Sequence, residues 1–247
     1  MAEDVQIKEQ VYKDPRPASY FDGLHEHART HEPNWVYEVV RLGTSAMAWT
    51  VFRLRGLHAE RVPAEGAVIL APNHFSFFDH FFLGISLRRK VRFMAKSQLF
   101  SPPLEYVFSH GGTFPVRRGY RDEEAFITSG VILGRGGCVG MYCEGGRSRT
   151  GRVGDEARPG IGRLALESGA PVVPVAIHGS SRVRNWKRLR FPAVTVLYGE
   201  PVRWERVEEP TREQQQEVAD QILAEIRALY DLMDAQGRRG VMRAAPA

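Results

Sequence analysis

Cysteine is scarce: the chain of 247 residues has two, Cys138 and Cys143, set at odd spacing in an apolar, glycine-rich segment. That excludes a disulfide framework and a four-thiolate zinc site, and it fits a reducing compartment. Long hydrophobic runs are missing as well. The nearest, 42–52, is fenced by Arg41 and Arg53 and interrupted by Gly43, Thr44, Ser45 and Thr50, well short of the roughly 20 apolar residues that a spanning helix needs. Such a segment can lie on a membrane but not cross it. The opening residues are acidic and polar rather than basic and then apolar, so no secretory signal is read there, and a cytoplasmic location is expected. No G-x-S-x-G elbow is present, which argues against a serine nucleophile.

What the chain does have is basic charge, Lys+Arg 34 against Asp+Glu 29 for a formal +5, which favours anionic partners such as phosphates, acidic headgroups or nucleic acid. With 43% hydrophobic residues it can close one full core, so a single domain is expected. Residues 1–33 are polar with scattered Pro and His and read as a loosely packed leader. From Asn34, a plausible N-cap, the residues Trp35, Val36, Val39, Val40, Gly43, Met47 and Val51 recur at three- and four-residue steps, which predicts an amphipathic helix over 34–50.

Beyond residue 51 short β-branched runs, at 67–71, 91–94, 113–116, 138–143, 172–177 and 193–198, alternate with helical stretches at 77–89, 98–110, 121–133 and 159–168. Strand and helix in alternation predict an α/β domain over 51–235 with a largely parallel central sheet flanked by helices. A last helix is expected over about 212–232, and a frayed tail over 236–247. Pro174 inside the run at 172–177 costs a ladder hydrogen bond, so that strand is expected at an edge or with an irregularity.

One stretch stands out chemically, Asn-His-Phe-Ser-Phe-Phe-Asp-His-Phe-Phe at 73–82. If 67–71 is a buried strand, the loop 72–76 leaves its carboxyl end, the edge where open α/β sheets gather their active sites. With a helix starting near Ser76, Asp79 falls in the first turn and can fold back toward His74. A carboxylate on one imidazole nitrogen leaves the other free as a base and stabilises the imidazolium that forms. A plain helix-start acid beside a loop histidine is the competing interpretation. A metal site from His74, Asp79 and His80 would want a fourth ligand that the spacing does not supply.

Three further stretches accompany it. GGTFPVRRG at 111–119 ends a short strand in Arg117 and Arg118, of which only one can face a site and could hold a phosphate bidentately. MYCEGGRSRTG at 141–151 runs a strand into Glu144, then Gly145 and Gly146, which permit close approach of a ligand, then the donors Arg147 and Ser148. It lacks the lysine and hydroxyl of a P-loop. PVVPVAIHG at 171–179 completes the set.

These four blocks, in this order, resemble the glycerolipid acyltransferase family, whose pattern is Asn-His-x4-Asp, Gly-x5-Arg, Phe-Pro-Glu-Gly-Thr-Arg-Ser and Val-Pro-Val. Here they stand as Asn73-His74 to Asp79, Gly112 to Arg118, Tyr142 to Ser148, and Val173-Pro174-Val175. The third block departs at Cys143 and Gly146. The resemblance, over roughly 50–205, implies a single domain of that family's type. It makes His74 the general base and Asp79 its orienter, and it implies substrate contacts from Asn73, Lys96, Arg118, Glu144, Gly145, Arg147 and Ser148. It implies direct acyl transfer from acyl-CoA or an acyl carrier protein to 1-acylglycerol 3-phosphate, giving phosphatidic acid, with no cofactor and no metal. Glycerol 3-phosphate or another lysolipid is the alternative acceptor. A thioesterase and a non-catalytic binder of acidic lipid or nucleic acid are the alternatives of other classes. No nucleic-acid partner is expected. A lysophospholipid acceptor implies peripheral contact with an anionic membrane at its cytoplasmic face. Trp35 and Trp49 on the first helix would serve there, with a second patch of Arg182, Arg184, Trp186, Lys187, Arg188 and Arg190.

Overall fold

The run Val-Ile-Leu-Ala-Pro forms a strand, β2 (Val68–Pro72), buried along its whole length. Alternate side chains leave its opposite faces: Val68 and Leu70 enter one hydrophobic cluster, Ile69 and Ala71 another. A strand with two apolar faces needs cover on both, which is the condition of a parallel sheet between helices. The structure, a computed structural model, describes residues 13–148, 150–183 and 191–244.

The other strands are β1 (Arg55–Leu57), β3 (Arg92–Lys96), β4 (Phe114–Val116), β5 (Cys138–Gly140), β6 (Val172–His178) and β7 (Thr195–Tyr198). They make one sheet in the order β1-β7-β6-β2-β5-β3-β4. Every pair is parallel except β6 with β7. The expected α/β class with a largely parallel sheet is therefore observed, and β2 lies at its centre. Strand β1 escaped sequence detection because it is only three residues long with two of them exposed.

One face is covered by α5 (Glu123–Gly134), α6 (Gly160–Ser168) and the long α7 (Arg212–Ala244). Here α6 and α7 approach closely: a Cβ on Gly162 would lie 1.9 Å from the Gln215 carbonyl oxygen. The other face carries α2 (Trp35–Thr50) and α3 (Asp79–Ile85), with Ala48, Phe82 and Leu83 buried against β2 and β6. Burial of Phe82 and Leu83 stabilises the fold by about 1.5–3 kcal/mol each. Asn34 caps α2 as expected, its side chain accepting from the Val36 amide at 2.9 Å.

Several expectations are corrected. The stretch 98–110 is not one helix, because Pro102 and Pro103 cannot donate; a 3₁₀ turn at Ser97–Leu99 precedes α4 (Leu104–His110). The helix expected over 77–89 is only α3. The strand expected over 138–143 ends at Gly140. Pro174 does not mark an edge, since β6 lies between β2 and β7. Its carbonyl still accepts from Gly199 at 2.8 Å, and pairing resumes at Val172 with Val202 in a register shifted by one residue, so the expected irregularity is present at Pro174.

The expected loose leader and frayed tail are also corrected. Among the described residues before 34, Asp22–Thr30 form α1, and Phe21, His25 and Ala28 are buried. Arg16 is paired with Asp14 at 2.7 Å and donates to the carbonyl of Ser97 at 2.7 Å, which ties this segment to the end of β3. At the other end α7 continues through a kink at Gly237 to Ala244, with Met233 and Val241 buried against β1, β6 and β7.

Candidate active site

Because β2, β5, β3 and β4 are neighbours and parallel, their carboxyl ends share one edge. The sequence blocks following them are thereby brought together. The loop after β2 is lifted off the sheet by Asn73, whose side chain continues the strand's pairing: its Nδ2 donates to the Ile177 carbonyl at 3.2 Å and its Oδ1 accepts from the Ile177 amide at 2.6 Å. Asn73 is buried, and these two bonds anchor the start of the loop.

His74, next in the chain, turns outward with its side chain 13% exposed, while Asp79 at the start of α3 is completely buried. Nδ1 of His74 lies 2.9 Å from Oδ2 of Asp79. The carboxylate fixes the tautomer and leaves Nε2 as the free base. Burial pushes the imidazole below the usual histidine range; Asp79 opposes that push, and Arg147 and Arg118 reinforce it. His74 is thus neutral, the form that can take a proton.

One face of the imidazole is covered by Tyr142, with ring centroids 3.9 Å apart and planes at 20°. His74 opens into a cavity of about 380 Å³. Its lining is of two kinds. Lys96 from the end of β3, Arg118 beyond β4 and Arg147 beyond β5 stand with His74, whereas Val40, Phe81, Ile85, Phe93, Val107 and Phe108 supply an apolar part. Burial and the two neighbouring arginines push the Lys96 ammonium below its ordinary range, as expected where cations crowd together. Of the Arg117–Arg118 pair only Arg118 lines the cavity; Arg117 turns away to the Arg16 carbonyl, 3.0 Å, and the Tyr120 ring.

The remaining members of the third block hold the loop rather than line the cavity. Glu144 accepts from the amides of His74, 3.2 Å, and Gly154, 2.6 Å, and burial holds its carboxyl above the usual range in spite of them. Gly145 takes a left-handed φ of 64° with the Arg158 side chain against it, so a glycine suits this turn. The Ser148 hydroxyl donates to the Arg152 carbonyl at 2.7 Å, and its amide to the His74 carbonyl at 2.8 Å. Glu144 and Ser148 thus brace the His74 backbone, and neither they nor Gly145 line the cavity.

The phenylalanine-rich block divides its labour too: Phe77 and Phe81 line the cavity, while Phe75 and Phe82 are core. His80 also lines the cavity and is held down to about 4 by burial. No cluster of three or more His, Cys, Asp or Glu suited to a metal exists among the described residues. Both thiols are buried, Cys138 pushed up to about 12 and Cys143 higher, which makes neither a nucleophile.

Helix α2 is two-sided. Tyr37, Val40, Arg41 and Thr44 line the cavity, and the opposite face exposes Trp35 (63%), Val39, Leu42 (76%) and Trp49 (59%). No described helix is long and apolar enough to cross a membrane. Of the expected basic patch, Arg182 is exposed, while Arg184, Trp186, Lys187, Arg188 and Arg190 lie outside the described residues.

A family model described as "Acyltransferase" matches residues 54–178. The glycerol-3-phosphate acyltransferase of Aeromonas hydrophila is 31% identical over 147 residues, 53% of this chain but only 18% of that protein's length. Among solved structures, the 1-acyl-sn-glycerophosphate (LPA) acyltransferase PlsC from Thermotoga maritima has a similar fold. The TM-score is 0.57 at 22% identity, over 85% of this chain and 89% of that one.

Proposed function

The chain belongs to the glycerolipid acyltransferase family, and from that premise we propose that it transfers a fatty acyl group to 1-acylglycerol 3-phosphate, forming phosphatidic acid in phospholipid synthesis. One observation carries the choice of acceptor: the His74–Asp79 pair opens on a cavity whose lining combines a cluster of cations, Lys96, Arg118 and Arg147, with many apolar side chains. An amphiphile with a phosphate at one end and an alkyl chain at the other matches both kinds of lining. Arginine binds phosphate through paired donors, and the aromatic and aliphatic lining removes a chain from water at about 25 cal/mol per Å².

The donor is a thioester, acyl-CoA or acyl carrier protein, and no cofactor takes part. Nε2 of His74 takes the proton of the acceptor hydroxyl as that oxygen attacks the thioester carbonyl. Asp79 holds Nδ1–H and stabilises the imidazolium, which then returns the proton to the departing thiolate. Acid–base help of this kind is worth roughly 10²- to 10⁴-fold.

An acceptor of this chemistry resides in a bilayer, and the exposed apolar face of α2 supports a peripheral contact with the cytoplasmic leaflet. The basic residues around 182–190 would add about 1 kcal/mol each near anionic lipid.

The test is thioester-dependent acylation by purified protein, wild type and His74→Ala, with lysophosphatidic acid, glycerol 3-phosphate or no acceptor. Product from lysophosphatidic acid with wild type, and near-complete loss in a folded His74→Ala protein, is the expected result. Preference for glycerol 3-phosphate would move the acceptor to the activity named for the Aeromonas relative. Thiol release that ignores the acceptor would mean hydrolysis.

A further inference from the structure

Three side chains of α7 reach the loops that carry the reacting groups. Arg227, Tyr230 and Asp234 are three and four residues apart, so they share one face of the helix, and each meets a different segment at the carboxyl edge of the sheet. Arg227 donates to the Gly154 carbonyl. The Gly154 amide in turn donates to Glu144 at 2.6 Å, and Glu144 accepts the His74 amide at 3.2 Å. The Tyr230 ring meets that of Phe75 edge to face, with centroids 5.5 Å apart and planes at 89°. Asp234 accepts from Nε2 of His178, the last residue of β6, at 2.8 Å.

Phe75 links this face to the chemistry. It follows His74 in the chain, its side chain is buried, and its amide donates at 2.7 Å to Oδ2 of Asp79, the oxygen that also holds Nδ1 of His74. A Phe75 ring that shifts carries its own amide with it, and with the amide one of the bonds that fix the carboxylate. Among the described residues none of α7 lines the cavity, so the helix acts on the reaction only through these loops.

We propose that α7 braces the loop that carries His74, with Tyr230 as a positioning residue: its ring holds Phe75, and Phe75 holds the His74–Asp79 geometry. This rests on the acyl transfer proposed above. Arg227 and Asp234 seat the helix about one turn to either side, on the loop that follows Glu144 and on the end of β6. A displacement of about 1 Å, caused far from the chemistry, can cost about 100-fold in rate, because the acceptor hydroxyl must lie within hydrogen-bond reach of Nε2 as it attacks. The contact with Phe75 is made by the Tyr230 ring and not by its hydroxyl. Phenylalanine at 230 therefore keeps the brace, whereas alanine opens a gap behind Phe75.

The test assays Tyr230→Ala, Tyr230→Phe, Phe75→Leu and the double variant Tyr230→Ala with Phe75→Leu, using an acyl-CoA donor and lysophosphatidic acid. Each is assayed below its own melting transition, so that loss of folded protein does not enter. Tyr230→Ala is expected to lower kcat about 10- to 100-fold, with both KM values within about twofold because no lining residue has changed. Tyr230→Phe should restore kcat to within about twofold of wild type. The double variant should be no worse than the poorer single variant by more than about threefold, since residues that act through one contact are not additive. A kcat for Tyr230→Ala within about twofold of wild type overturns the proposal. Losses that multiply in the double variant overturn it too, because Tyr230 would then act apart from Phe75. Where Tyr230→Ala does not fold, Tyr230→Leu replaces it and is read by the same criteria. Wild type keeps the two readings apart: no acceptor-dependent acylation would end the reaction proposed above, whereas an active wild type matched by Tyr230→Ala would remove only the brace.

Discussion

Oδ2 of Asp79, 2.9 Å from Nδ1 of His74, also accepts the backbone amides of Phe75 and Ser76, each at 2.7 Å. The carboxylate is therefore locked by the loop it closes before any substrate arrives, and it presents one fixed oxygen to the imidazole. Preorganisation of this kind is what lets an orienting group act without rearrangement during reaction. The spacing of five residues between His74 and Asp79 follows from this turn, which brings the first residue of α3 under the loop that precedes it.

Replacing Asp79 by Asn keeps an acceptor for the two amides but can place an NH₂ against Nδ1, which favours the wrong tautomer. Asp79→Asn should reduce kcat by roughly 10²- to 10⁴-fold with KM little changed and the fold retained. Steady-state kinetics beside a melting curve would check it; a variant within tenfold of wild type would argue against Asp79 as the orienter.

Lys96, Arg118 and Arg147 come from three different strand ends and meet at the cavity. Hydrogen bonds to a charged group are worth about 1.5–3 kcal/mol each, so Arg118→Ala or Arg147→Ala should raise KM for lysophosphatidic acid by about 10- to 100-fold. KM for the thioester donor should barely change. An equal rise for both substrates would show that the arginines serve the site as a whole and not the acceptor's phosphate.

The pH profile follows from the direction of the His74 shift. Its folded pKa is lowered, by burial and then by Arg147 and Arg118 against the pull of Asp79, and the active form is the neutral one. The rate should be flat above about pH 6.5, the ordinary histidine value, and fall only as the pH drops below it. Arg147→Gln removes a charge that lowers this pKa, so its acid limb should move up in pH. A limb that stays in place in Arg147→Gln would disconnect that arginine from the base.

Much of this was legible in the sequence, for physical reasons that differ by residue. The buried run at 67–71 and the His74–Asp79 spacing are local, and local patterns read directly as strand, loop and helix start. Asn73 was not readable in the same way. Its role depends on β6 lying beside β2, a pairing between residues 104 apart in the chain, and pattern alone places it with its chemical neighbours. Pro174 was legible in part: its strand is central and not an edge, but the pairing is irregular at the proline, where the register shifts by one residue. Gly145 suggested a ligand where the turn faces Arg158. Asp14 and Arg16 lie in a polar stretch with no periodicity, so only the fold reveals that they clamp the end of β3. Tyr142 could have been noticed as a hydroxyl where the family pattern has phenylalanine, but its stacking on His74 required the structure.

Membrane contact by α2 can be separated from contact by the basic residues around 182–190 because the two forces respond differently to salt. Trp35, Val39, Leu42 and Trp49 share the face turned away from the cavity, and apolar insertion survives ionic strength. Basic residues act over a screening length near 10 Å at 0.1 M salt and about 3 Å at 1 M. Wild-type protein should therefore sediment with anionic vesicles strongly at low salt and retain a residual fraction at 1 M. A double change, Leu42→Glu with Trp49→Glu, removes two side chains worth about 1.5–3 kcal/mol each if fully buried in lipid. The residual high-salt binding should fall by at least tenfold, and turnover on vesicle-borne lysophosphatidic acid should fall with it. Activity on acceptor dispersed in detergent should persist, because both side chains point away from His74's cavity. If high-salt sedimentation were unchanged by the double substitution, α2 would not be the docking element, and its exposed tryptophans would need another partner.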